Sequence, residues 1–198
     1  LYKRRLLFAA GSTLAANEAG VFGGGIMNDG TLTVLESSMS KNSARSGGGI
    51  ANFGNLAAVQ SRFFENDAMS GGAFYNDAEG FLAVTASHIA RNVAGDSGGI
   101  ANHGAVALTG STLSGNASSG GGALYNTGAI TVANSTLSGN TAEGNRLDAA
   151  GGAVLNDGGR ISFANSTIAG NTAVISGTGG VRNATGGTVR LSHTILAN

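Results

Sequence analysis

The sequence predicts an all-β chain, a single-stranded right-handed parallel β-helix of about seven coils of roughly 24 residues. Three observations predict it: a glycine-rich hexapeptide that recurs along the chain, two asparagine columns in phase with it, and short alternating apolar stretches between them.

The hexapeptide Gly23-Gly24-Gly25-Ile26-Met27-Asn28 recurs as Gly47-Gly48-Gly49-Ile50-Ala51-Asn52 and Gly71-Gly72-Ala73-Phe74-Tyr75-Asn76. It returns as Ser97-Gly98-Gly99-Ile100-Ala101-Asn102, Gly121-Gly122-Ala123-Leu124-Tyr125-Asn126, Gly151-Gly152-Ala153-Val154-Leu155-Asn156 and Thr178-Gly179-Gly180-Val181-Arg182-Asn183. The closing asparagines are 24, 24, 26, 24, 30 and 27 positions apart. Repeats of about 20 to 50 residues are the mark of stacked architectures, in which a unit too small to bury its own apolar face buries it against its neighbours.

A second asparagine follows each of these by 14 to 16 positions: Asn42, Asn66, Asn92, Asn116, Asn140, Asn171 and Asn198, with Asn17 upstream. Three residues before each stands an apolar side chain, from Leu14, Met39 and Phe63 through Ile168 to Ile195. Two before that runs a serine column, Ser12, Ser37, Ser61, Ser87, Ser111, Ser135 and Ser166, closed by His193. Asparagine tolerates left-handed dihedrals and its amide bonds to neighbours, so stacked copies are expected to form hydrogen-bonded ladders. Glycine pairs suit corners where no Cβ fits.

Between the two asparagines, Leu32-Thr33-Val34, Ile130-Thr131-Val132 and Ile161-Ser162-Phe163 alternate with the period of a half-buried strand. Each repeat is thus expected to hold three short strands. Ile26, Ile50, Phe74, Ile100, Leu124, Val154 and Val181 read as one inward column. Insertions at Thr141 to Ala150 and Ala173 to Gly177 fall in one equivalent turn, where added length costs little.

One domain spans the chain: a partial coil over 1–22, regular coils over 23–183 and a partial coil over 184–198. Lys3-Arg4-Arg5 before Leu6-Leu7-Phe8-Ala9-Ala10 has the look of a secretory signal, but Ser12 to Asn17 already fit the repeat. With no amphipathic helix to cover an end, the chain reads as a segment of a longer solenoid or as a rod that stacks end to end on other copies.

Of 198 residues, 35 are glycine and 41% are hydrophobic, a balance that excludes a disordered linker. Eleven basic and eleven acidic residues cancel, so nothing favours nucleic acid or an anionic membrane as partner. No apolar run approaches the roughly 20 residues of a membrane-spanning helix, so no membrane insertion is expected. The absence of cysteine removes disulfides and thiolate metal sites.

Gly71-Gly72-Ala73-Phe74, Gly121-Gly122-Ala123-Leu124 and Gly151-Gly152-Ala153-Val154, paired with Phe63-Phe64-Glu65-Asn66, resemble the repeats of the polymorphic outer-membrane protein family. More broadly, the chain is similar to the β-helix passengers of bacterial surface proteins and to pectin-lyase-like solenoids. The resemblance covers nearly the whole chain, although Met, Ile or Leu replaces the aromatic outside Phe63. It implies an extracellular or cell-surface scaffold linked to adhesion.

The function expected is therefore a non-enzymatic structural or adhesive module without a cofactor, partnered by other copies of itself, a polysaccharide or a cell-surface ligand. Outward positions beside the first asparagine include Met27, Tyr75, Tyr125, Leu155 and Arg182, of which Tyr75, Tyr125 and Arg182 are the candidate contact residues. The alternative is a polysaccharide lyase or hydrolase, which needs clustered carboxylates or a basic residue on one face. Acidic residues here are scattered: Asp29, Asp77 and Asp157 follow the first asparagine in separated coils, and Asp67 and Asp96 lie in another turn. A third reading, ice or mineral binding, rests on an outward hydroxyl column of Thr13, Ser38, Thr112, Thr136, Thr167 and Thr194, interrupted by Arg62 and His88. Gly95-Asp96-Ser97-Gly98-Gly99 and Thr85-Ala86-Ser87-His88 imitate serine-protease motifs, but in the wrong order and within the repeat. Asn102-His103-Gly104 faintly matches a polygalacturonase motif without its companion aspartates. No role is assigned to the sequons at Asn134 and Asn165.

Overall fold

A computed structural model describes residues 6–144, 150–184 and 186–197. Asn198 and Lys3 to Arg5 lie outside the described residues. Each coil is a set of short parallel strands, and each strand pairs only with its equivalents one coil away. The second coil is typical: Thr31–Leu35 belongs to sheet A, Ser38–Ser40 to sheet B, Ser43–Ser46 to sheet C and Ile50–Asn52 to sheet D. Among the described residues, sheets A and B have eight strands and sheets C and D have seven. The chain is a parallel β-solenoid.

The expectation of three strands per coil is corrected to four. The strand missed is that of sheet C, only two residues long from Val93–Ala94 onward. Its register aligns Ala19, Ala44, Ala68, Ala94, Ser118, Ala142 and Ala173. Side chains this small give no hydrophobic alternation, so the strand is invisible to periodicity.

The core fills from the other three sheets. Leu32 and Val34, repeated down to Ile161 and Phe163, are buried from sheet A. Met39, Phe63, Ile89, Leu113, Leu137 and Ile168 come from sheet B, and Ile50, Phe74, Ile100, Leu124 and Val154 from sheet D. Ile26 and Val181, at the ends of that column, are only partly buried. Phe63 and Phe74 meet across the interior with ring centroids 4.3 Å apart. Each fully buried large side chain contributes roughly 1.5–3 kcal/mol.

Corners turn on single residues in the left-handed region. Between sheets A and B these are Gly11, Glu36, Gln60, Ala86, Gly110, Asn134, Asn165 and His193; between B and C they include Lys41, Glu65, Arg91 and Gly115. None of the ladder asparagines has a positive φ, contrary to expectation. They follow the corner or precede it, with their amides turned inward. The glycine corner before sheet D is set by space: a Cβ on Gly122 would lie 2.1 Å from the Gly152 carbonyl oxygen.

The ladders themselves are continuous. Asn28, Asn52, Asn76, Asn102, Asn126 and Asn156 each donate Nδ2 to Oδ1 of the next coil's asparagine, ending on Asn183, at 2.7–2.8 Å. Asn17, Asn42, Asn66, Asn92, Asn116 and Asn140 do the same, ending on Asn171, at 2.8–3.0 Å. A serine ladder runs beside the second: the Ser37 amide donates to Ser61 Oγ and the Ser61 amide to Ser87 Oγ. A buried polar group is tolerated when it is paired, and these interior amides are.

The last coil is one residue out of the expected register. Ile168 faces Leu196, and Ile195 faces Thr167. Thr194, bonding the Ser192 carbonyl, takes the serine position, and His193 takes the left-handed corner. At the other end, Leu6–Ala10 is a sheet A strand paired with Thr31–Leu35, in line with the repeat register of Ser12 to Asn17.

Candidate functional site

The outward column of sheet D is Met27, Ala51, Tyr75, Ala101, Tyr125, Leu155 and Arg182 in consecutive coils. Large and small residues alternate through its middle. Coils stack about 4.8 Å apart, so a ring lying over one coil spreads across its neighbour, and alanine leaves room for it. Ala51 and Ala101 are accordingly fully buried despite facing outward.

The turn after the strand adds further rings. Phe53 packs edge-on against Phe22 at 4.9 Å and lies 6.1 Å from Tyr75. His103 stands 5.4 Å from Tyr75 and 6.0 Å from Tyr125, bridging the alanine gap. The five rings form one ridge along the solenoid axis, inclined to one another by 38 to 86°. It is corrugated and self-braced rather than flat.

The ridge ends in a groove of about 500 Å³, lined by Met69, Asp96, Tyr125, Leu155, Asp157 and Arg182 among others. Leu155 forms an apolar floor, only 7% exposed although its strand position faces outward. The Tyr125 hydroxyl donates to Asp157 Oδ2 at 3.1 Å. The Tyr75 hydroxyl donates to Asp77 Oδ1 at 3.3 Å, and burial, the Asp77 charge and that hydrogen bond together raise its pKa above the ordinary phenol value. Arg182 carries a buried Nε without a hydrogen-bond partner. It takes no part in the ion pairs found among the described residues, which join Glu65 to Lys41 and Arg91 on the corner between sheets B and C.

Tyr75, Tyr125 and Arg182 thus share one face: Tyr75 belongs to the ridge, Arg182 to the groove, and Tyr125 to both. The scattering expected of the acidic residues does not hold for Asp96 and Asp157, which line the same groove. Sheet D strands are three residues long, so the corner before them and the turn after them open onto one depression. The sequence also did not mark Phe22, Phe53 or Met69, because only the topology brings the corner, strand and turn together.

The other candidates stay apart. Ser97 is fully buried and donates to the Ala123 carbonyl at 3.0 Å, while His88 is exposed on sheet B, so the protease-like motifs form no site. The outward column of sheet B reads Thr13, Ser38, Arg62, His88, Thr112, Thr136, Thr167 and Ile195. Its last member is Ile195 and not Thr194, which removes one hydroxyl from the ice-binding face. Arg62, Phe64, His88 and Arg91 instead line a shallow depression of about 260 Å³ there. No group of three or more His, Cys, Asp or Glu able to hold a metal occurs among the described residues.

Compared with protein-family models, with curated proteins and with solved structures, the chain matches none. Site geometry therefore carries the functional argument.

Proposed function

We propose that this chain is a non-enzymatic extracellular structural and adhesive module, a rigid rod presenting the outer face of sheet D as its contact surface. The observation that carries this reading is the five-ring ridge running into the groove. The fold requires large apolar side chains only at inward positions, so rings at outward positions are explained by contact. Because the rings brace one another, little side-chain freedom is lost on binding. The resemblance to polymorphic outer-membrane protein repeats supports a place at the bacterial cell surface. At the two ends, inward-column residues Leu7, Leu191 and Leu196 are 50, 48 and 54% exposed, surfaces suited to further coils or to another copy.

Adherence of the purified chain to bacterial and host cell surfaces tests the reading. The Tyr75→Ala/Tyr125→Ala double variant should lose about tenfold or more in affinity while remaining folded. Undiminished adherence by the folded variant would refute it.

One observation favours a second reading, a carbohydrate-active enzyme: Asp96, Asp157 and Arg182 share the groove, and glycoside cleavage uses paired carboxylates. Turnover on a polysaccharide panel, abolished by Asp157→Asn, would establish it in place of the first.

A further inference from the structure

We infer that the ridge and groove of sheet D take an uncharged glycan chain lying along the solenoid axis; this rests on the adhesive reading above and names its ligand. Three features of the face point to that chemistry.

The first is what the backbone withholds. Strands of sheet D are paired on both sides through the interior of the rod, as where the Ile100 amide donates to the Ala123 carbonyl and the Phe74 amide to that of Gly99. The face has no open strand edge along its length, so a peptide cannot bind there by adding a strand. Recognition falls to side chains.

The second is which side chains are present. The rings offer apolar surface, and Leu155 and Met69 extend it into the groove. Asp96 and Asp157 accept hydrogen bonds, and the Arg182 guanidinium donates several in a fixed fork. Apolar patches alternating with acceptors and donors match a chain of sugar rings, whose faces are apolar and whose hydroxyls both donate and accept. The ridge spans five coils, about 20 Å at the spacing of stacked strands, so it suits an extended ligand.

The third is charge. Asp96 and Asp157 line the groove and Asp77 bonds the ridge Tyr75, against Arg182 in the groove and Arg45 beside Met69 in the outward column of sheet C. Carboxylates of one sign disfavour a like-charged partner, so polyuronates and sulfated glycans are selected against.

Calorimetry on the whole chain with cellohexaose, chitohexaose and galacturonate oligomers of equal length tests this. Tyrosine emission gives a second readout, because the chain has three tyrosines and no tryptophan. A neutral hexasaccharide should bind and perturb that emission, and Tyr75→Ala/Tyr125→Ala should weaken it about tenfold or more. Tyr75→Phe/Tyr125→Phe, which keeps the rings, should retain most of the binding and guards against misfolding of the alanine variant. Asp96→Asn/Asp157→Asn should improve galacturonate binding relative to the parent chain. Binding of galacturonate oligomers in preference to the neutral ones overturns the inference. So does failure of both neutral probes when cell adherence persists and is lost in the alanine variant; the adhesive reading then stands with another ligand. If adherence is also indifferent to that variant, both fall.

Discussion

The outer faces of sheets A and D meet at the same asparagine ladder, yet they are furnished differently. The central outward column of sheet A runs Phe8, Thr33, Ala57, Ala83, Ala107, Thr131, Ser162 and Arg190, small through its six middle coils. One turn earlier, sheet D shows Met27, Tyr75, Tyr125, Leu155 and Arg182 among its alanines. Both sheets do the same work inside, where apolar columns are buried. The difference teaches that the repeat constrains the inward half of each strand and leaves the outward half free. Rings that touch one another through the middle coils of an outward face therefore mark use rather than folding.

Neighbouring residues on one sheet D strand should break this comparison most sharply. Leu124→Asp puts a charge into a fully buried position and should leave no folded protein at room temperature by circular dichroism. Tyr125→Ala, one residue on, should cost no more than about 1 kcal/mol. A Tyr125→Ala loss as large as that of Phe74→Ala, about 3–5 kcal/mol, would show that the ridge belongs to the core.

The ladder common to both faces comes next. Asn102→Ala strands one N–H of Asn76 and the Asn126 acceptor in the interior and should cost about 2–6 kcal/mol in urea unfolding. Asn183→Ala, at the exposed end of the same ladder, should cost less than half as much. Equal losses would mean that burial is not what makes the amides matter.

Two glycines separate sterics from dihedral strain. Gly122→Ala drives its Cβ into the Gly152 carbonyl and should be poorly tolerated. Gly110 has φ +57° but open space around its Cβ, so Gly110→Ala should cost only about 1 kcal/mol in thermal unfolding. Ala86, at φ 49° in the same corner, already shows that a side chain fits there.

The smallest effect is electrostatic and confined to the ridge. Tyr75 has a folded-state pKa raised by burial first and by Asp77 second. Its folded form holds the proton more tightly than the unfolded chain. That contribution is complete below the ordinary phenol pKa of 10.0 and is lost as pH rises through the folded value. Phenolate absorbance should show a late-titrating component that is lost in Tyr75→Phe and shifted back toward the ordinary value in Asp77→Asn.

Much of the fold was legible because stacking repeats it. The hexapeptide, both asparagine columns and the sheet D inward column each recur often enough to be read without coordinates. Sheet C escaped because alanine in a two-residue strand leaves no pattern, and the last coil slipped because Thr194 can stand in for serine. Of the site, Tyr75, Tyr125 and Arg182 were readable as outward positions beside a ladder residue. The groove was not. Asp96 lies 61 positions before Asp157 in the sequence, and only the narrowness of sheet D brings them to one depression. Left-handed corners filled by Glu36, Lys41, Glu65 and Arg91 likewise carry no residue-type mark.

The amide ladders give the rod a direction. Every ladder Nδ2 donates toward the coil that follows in sequence, so the amide dipoles of both columns point the same way and polarise one another along the axis. One end is oxygen-presenting and the other nitrogen-presenting, like the two poles of a helix without its winding. A coil added at either end, whether by continuation of the chain or by another copy, can join the ladders only head to tail. An inverted copy would set amide oxygen against oxygen at one end, or nitrogen against nitrogen at the other, so continuation of the ladders favours head-to-tail over symmetric stacking.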